Sequence, residues 1–333
     1  MDERGFAAVV GHKDVIEHIK NASIYGRVSH AYLFSGEPGS GKKLLSSLFA
    51  TLLECRKSAE NPCFACESCR KAMNMNHPDI IYVQHEKPEL ITVDEIRSQV
   101  VSTAGIRPYE SEYKIYIIDE AEKMNPQAQN ALLKTIEEPP VYVVIMLLSS
   151  NPDALLQTIL SRCVRLNLRA VSDEEVLRYL HTEMELPDYE AEIVRAFAQG
   201  NIGRARDAAS GSVLREISAR VVDLMKRLRE MKTYEIGEIV KELSENKKNV
   251  HRYLDMIELW FRDVLLYKAT QDPDSMVFRR ELVEIRRESA ESSYEGLEEI
   301  LKAVGNARTR LSANVNFDLT MELLFMTIAE NLS

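Results

Sequence analysis

Gly36-Glu37-Pro38-Gly39-Ser40-Gly41-Lys42-Lys43 is the stretch on which the reading of this chain turns. It follows an apolar run, Ala31-Tyr32-Leu33-Phe34, and precedes a segment with Leu44, Leu45, Leu48, Phe49, Leu52 and Leu53 on one side of a helix. Strand, glycine loop and helix are the context of a phosphate-binding loop. Gly36, Gly39 and Gly41 let backbone N–H groups turn inward around phosphate oxygens, and the helix N-terminus adds partial positive charge. Lys42 is the residue that reaches the β and γ phosphates. The next position ordinarily carries Ser or Thr, whose hydroxyl ligates magnesium. Here it is Lys43, an ammonium that cannot ligate a cation and repels one. Ser40 lies within the loop and does not replace the missing hydroxyl. The expectation is a nucleotide fold in which ATP or ADP binds weakly or not at all, and magnesium is not held in the normal way.

A second apolar run, Ile115-Tyr116-Ile117-Ile118, leads into Asp119-Glu120. Taken alone it is a buried strand ending in helix-capping acids. Downstream of a phosphate loop it reads as the acidic motif in which Asp119 holds the magnesium shell and Glu120 polarises water. The acidic half of a metal site is present, and the hydroxyl half is gone.

Working outward, two more apolar runs, Ile80-Ile81-Tyr82-Val83 and Val143-Val144-Ile145-Met146-Leu147-Leu148, alternate with helical stretches. Near-continuous apolarity is the mark of parallel strands covered on both faces, so residues 1–167 read as an α/β domain around a parallel sheet. Past Arg165 the strand signal fades. Ser172 followed by Asp173, Glu174 and Glu175 predicts a helix start, and Gly200-Asn201-Ile202-Gly203 breaks the segment. From Ser212 onward the spacing is helical, with Leu214, Ile217, Val221 and Leu224 as one face and Leu254, Ile257, Phe261 and Val264 as another. Boundaries near 167 and 210 give three parts: 1–167, a small helical 168–210, and an all-helical 211–333. A chain of 333 residues is long enough for two or three cores.

Cys55, Cys63, Cys66 and Cys69 fall within fifteen residues, at C-x7-C-x2-C-x2-C spacing. In a chain without a secretory start this points to metal rather than disulfides. Four thiolates suit tetrahedral zinc at ~2.3 Å, and they leave no open position, so a zinc there is structural. Arg70 and Lys71 are placed to offset thiolate charge. The fifth cysteine, Cys163, reads as a small core residue beside Arg162. Net charge is −10, so the surface as a whole is not built to grip nucleic acid, and any DNA contact is local or shared. The start, Met1-Asp2-Glu3-Arg4, lacks the apolar stretch of a signal peptide, and no apolar run spans a membrane, which predicts a cytoplasmic protein.

Several segments together resemble the bacterial clamp loaders of the AAA+ family. They are Val10-Gly11-His12, Arg27-Val28-Ser29-His30 with the strand that follows, the phosphate loop, the cysteine insert, and Ala121-Glu122-Lys123-Met124-Asn125. Asn130-Ala131-Leu132-Leu133-Lys134-Thr135-Ile136-Glu137-Glu138-Pro139-Pro140 and Ser161-Arg162-Cys163 complete the set. The resemblance is detailed over about residues 5–170 and architectural beyond. It implies an AAA+ P-loop domain with an inserted zinc module at about 55–69, then a lid domain, then an oligomerising collar. The altered loop resembles the family's non-hydrolysing type of subunit, which works beside gamma/tau and delta subunits in a hetero-pentamer that loads a sliding clamp onto primer-template DNA. By that resemblance Arg162 reaches in trans toward a neighbour's γ-phosphate as an arginine finger. Asn151 or Ser150 falls at the first sensor. The second sensor's arginine aligns with Gly203, one place before Arg204. Two other functions remain: an active ATPase of the gamma/tau type, which Lys43 opposes, and a DNA-binding module using Arg97, Arg107, Lys114 and Lys123, which the acidic balance opposes.

Overall fold

The computed structural model describes residues 5–211, 213–245 and 247–332. The Met1-Asp2-Glu3-Arg4 start and the helix start placed at Ser212 lie outside the described residues. The chain divides into two compact units, Met1–Val176 with Gly200–Gly203, and Leu177–Gln199 with Arg204–Ser333.

The first unit is built on five parallel strands: β1 (Ala31–Ser35), β2 (Ile80–Tyr82), β3 (Lys114–Ile118), β4 (Val143–Ser149) and β5 (Val164–Asn167). Their order across the sheet is β2-β3-β4-β1-β5. Side-chain alternation along each strand splits the core in two. Tyr32, Phe34, Ile115, Ile117, Met146 and Leu148 face one way, against α1 (Lys13–Ile24) and α2 (Lys42–Leu53). Leu33, Tyr116, Ile118, Ile145 and Leu147 face the other. That side is covered by α4 (Val93–Ile96), α5 (Ser102–Ala104), α6 (Pro126–Glu137) and α7 (Gln157–Leu160). The short α3 (Glu67–Met73) belongs to the cysteine segment, and a π-helical turn, Arg97–Val101, joins α4 to α5. The result is the helix–sheet–helix sandwich expected of near-continuous apolar strands.

The four apolar runs all become strands. The fifth strand was not among the expectations. β5 is an edge strand in which only Leu166 is buried, while Arg165 and Asn167 point to solvent. Its hydrophobic signal is one residue deep, as is common for guarded sheet edges.

In the second unit the regular elements among the described residues are all helical. After α8 (Asp173–Thr182), which starts in the first unit, come α9 (Asp188–Ala198) and α10 (Ile202–Ala209), whose first two residues also belong to the first unit. They are followed by α11 (Val213–Leu228), α12 (Thr233–Glu245), α13 (Val250–Thr270), α14 (Leu282–Glu291), α15 (Tyr294–Ser312) and α16 (Phe317–Asn331). The Ser172 start is a capping box: its hydroxyl accepts from Glu175 N at 3.3 Å, and its own N–H donates to Glu175 Oε2 at 3.1 Å. Leu214, Ile217, Val221 and Leu224, and Leu254, Ile257, Phe261 and Val264, are all buried, as their spacing predicts. No helix among the described residues is long and apolar enough to cross a membrane.

Candidate functional site

Between the C-terminal ends of β1 and β3 lies β4, so the phosphate loop after β1 and the acidic motif after β3 open on the same edge of the sheet. Such edges are where α/β sheets bind ligands. Gly41, the N-cap of α2, has φ 96°, and Gly39 has φ 86°, a backbone that glycine adopts without strain. The loop is anchored by Gly36 N donating to Ser149 O at 3.2 Å, and Leu168 N donates to Ser35 O at 2.7 Å alongside.

The two lysines are both engaged inside the chain. Lys42 Nζ donates to Gly36 O at 2.6 Å and Glu37 O at 2.9 Å. Burial lowers its pKa, while Glu122, Asp119 and Glu120 pull it the other way. Lys43 Nζ forms an ion pair with Asp119 Oδ2 at 2.6 Å. The carboxylate that the sequence assigns to magnesium therefore already has a cation. Glu120, at φ 51°, pairs with Lys123 at 2.9 Å and lies 3.7 Å from His85 Nε2.

Further contacts on the loop could not be read from spacing. His12, itself at φ 54°, donates from Nε2 to Ser40 O at 3.1 Å. Asn201 Nδ2 donates to Pro38 O at 2.8 Å, and Gly203 N donates to Gly39 O at 3.0 Å. A Cβ on Gly203 would sit 2.5 Å from Gly39 O and 2.6 Å from its Cα. The glycine at that position is thus what allows the first turn of α10 to lie directly on the loop. Arg204, one residue on, belongs to the second unit, where its charge acts on the half-buried Asp255.

Of the two first-sensor candidates, Ser150 is the one engaged with another element. Its N–H donates to Glu122 Oε1 at 3.1 Å, and its hydroxyl donates to the same oxygen. Burial works against ionisation of Glu122, but these bonds outweigh it and hold the carboxyl below its ordinary range. Asn151 makes a local turn, its N–H donating to Ser149 Oγ at 3.1 Å.

Arg162 lies just past α7. Its Nη1 donates to Thr158 O at 3.0 Å and Ser161 Oγ at 3.3 Å, and its Nη2 pairs with Glu137 Oε1 at 3.0 Å. Two-fifths of its side chain is exposed. Cys163 beside it has its thiol pushed up to about 11 by burial, which suits the core role.

The cysteine segment brings Cys55, Cys63, Cys66 and Cys69 together, with all four Sγ atoms within 4.8 Å of one another. A tetrahedron with Zn–S of ~2.3 Å has S···S edges of ~3.8 Å, and Cys63 Sγ stands 3.9 Å from Cys69 Sγ. Cys66 N donates to Cys63 Sγ at 3.3 Å and Cys69 N to Cys66 Sγ at 3.4 Å, the backbone support that thiolates require. The donor set fits one metal ion such as zinc, held by all four cysteines and acting as a cross-link. Of the two nearby cations, Lys71 is drawn off to Glu110 at 2.6 Å and Glu67 at 3.0 Å, so it does not serve the thiolates.

A family model described as DNA polymerase III, delta subunit, matches residues 11–172. The DNA polymerase III subunit delta' of Bacillus subtilis (strain 168) is 29% identical over 323 residues, covering 95% of both chains. These matches support a clamp-loader subunit of delta-prime type. Other clamp-loader relatives align less completely. The subunit tau of the same Bacillus is 28% identical over 311 residues, 86% of this chain and 54% of that one. The subunit tau of Escherichia coli (strain K12) is 34% identical over 209 residues, 62% of this chain and 32% of that one. The chain therefore spans about half of the one tau and a third of the other, but the delta-prime relative almost end to end.

Proposed function

We propose that the chain is a non-hydrolysing subunit of the clamp loader that offers Arg162 to the ATP site of a neighbouring gamma/tau-type subunit. The complex it serves loads a sliding clamp onto primer-template DNA in the cytoplasm, with delta as a further subunit. The observation that carries this reading is the Lys43–Asp119 ion pair. A site whose acidic ligand is neutralised internally cannot assemble the magnesium shell on which phosphoryl transfer depends. Arg162, exposed just before the start of β5 and so at the edge of the parallel sheet opposite the phosphate loop, supports a role toward a neighbour rather than toward its own nucleotide.

In the same reading the four cysteines hold a structural zinc, residues 168–210 act as a lid with Gly203 and Arg204 in the second-sensor region, and residues 211–333 act as the collar. Asn151 or Ser150 occupies the first-sensor position, and the phosphate loop of Gly36, Gly39, Gly41 and Lys42 retains at most weak ATP or ADP binding. The test is a reconstituted loader carrying Arg162→Ala. Fingers supply ~10³-fold or more, so ATP turnover should collapse. Unchanged turnover would remove the trans role.

A further inference from the structure

Glu137 is the last residue of α6, and Glu138 follows it. Two acids at the negative end of a helix dipole are unfavourable unless a cation answers them. Lys134 lies in the helix's own last turn, and the cation paired with Glu137 is Arg162, 25 positions later in sequence and carried by the segment after α7. Its guanidinium is fixed from two sides. Thr158 O and Ser161 Oγ take Nη1, and Glu137 Oε1 takes Nη2. An arginine side chain left to itself samples many rotamers, and ordering it on arrival of a phosphate costs conformational entropy. A carboxylate holding the planar fork in advance removes part of that cost, because guanidinium geometry is directional.

We infer that Glu137 is a positioning residue for Arg162, pre-setting the guanidinium for the anionic phosphate of a nucleotide bound by an adjacent subunit. The inference rests on the trans role proposed above. Glu137 touches neither nucleotide nor reacting atoms and acts only through Arg162. Because both side chains are about two-fifths exposed, the pair is an exposed ion pair and its effect is modest.

The test uses the full-length chain in a reconstituted loader with its ATPase subunits, clamp and primed DNA. Four versions are compared: parent, Glu137→Gln, Glu137→Asp and Arg162→Ala, together with the Glu137→Gln/Arg162→Ala double variant. Glu137→Gln should lower kcat for ATP about fivefold, the upper range for an exposed pair, with KM little changed. Glu137→Asp should recover part of the loss. In the Arg162→Ala background Glu137→Gln should have no further effect, the mark of two residues acting as one. An equal Glu137→Gln effect with and without Arg162 would overturn the inference, as would full activity of Glu137→Gln where Arg162→Ala is crippled. If Arg162→Ala itself leaves turnover intact, the trans role fails and the inference falls with it. That outcome is told apart by the single Arg162 variant alone.

Discussion

Lys43 Nζ stands 2.6 Å from Asp119 Oδ2, so the residue that replaces the metal-binding hydroxyl also neutralises the metal-binding carboxylate. Loss of the hydroxyl alone would weaken magnesium binding. Adding an ammonium at the same place opposes it directly, since like charges a few ångströms apart repel by ~4 kcal/mol at an effective dielectric of ~20. Lys43→Thr should restore both the hydroxyl and a free Asp119. Titration of the purified variant with a fluorescent ATP analogue should show at least ~10-fold tighter binding with magnesium than without, where the parent shows no such dependence. A variant indifferent to magnesium would mean that the contacts of Asn201 and Gly203 on the loop, rather than Lys43, set its affinity.

Those contacts are testable by themselves. Gly203 approaches Gly39 so closely that an added methyl meets backbone on every near side. Backbone cannot rotate away as a side chain can, so Gly203→Ala should cost about 1–3 kcal/mol locally. Hydrogen exchange should quicken in Gly36–Lys43 and remain unchanged in β3. Parent-like exchange in the loop would show that the approach is looser than the structure has it.

The cysteine cluster predicts one zinc per folded chain. Cys69→Ser removes a buried ligand, and metal content measured by elemental analysis should fall to a small fraction. Because metal binding energy is folding energy in such modules, chelation should expose residues 55–69 to proteolysis while the rest of the sheet survives. It should also loosen Phe6, whose N–H donates to Asn61 Oδ1 inside the segment. Full zinc content in Cys69→Ser would contradict a four-thiolate site.

In the helical unit Glu288 is buried and accepts from Trp260 Nε1 at 2.8 Å. Burial pushes its carboxyl up to about 7, the indole N–H pulling the other way. Between its unfolded value near 4.5 and the folded value, the folded chain holds a proton that the unfolded chain has released. Stability contributed by this group is therefore present at acid pH and falls as pH rises through that window, by ~3 kcal/mol in all. Glu288→Gln keeps an acceptor for the indole and never ionises. Thermal melts should show parent and variant alike at pH 5 and the variant several degrees higher at pH 8. Parallel profiles would remove Glu288 as the source.

The sheet was legible because β1, β3 and β4 are buried on both faces, and continuous apolarity is the plainest signal a parallel strand gives. β5 was not, because Arg165 and Asn167 face water and leave Leu166 as its sole buried residue. The phosphate loop, acidic motif and cysteines announce themselves through fixed local spacing. What closes the site comes from far along the chain. Lys43 meets Asp119 across 76 positions, and Asn201 meets Pro38 across 163. Such pairings are decided by topology, and no local pattern encodes them. The same holds for Glu137, whose partner could be named only once α6 and α7 were seen side by side.

The measurement closest to the central claim is steady-state ATP hydrolysis by the purified full chain, with and without magnesium. With Lys43 on Asp119, the rate should equal that of Lys42→Ala at every magnesium concentration. A magnesium-dependent rate that disappears in Asp119→Asn would show instead that the chain is itself an ATPase.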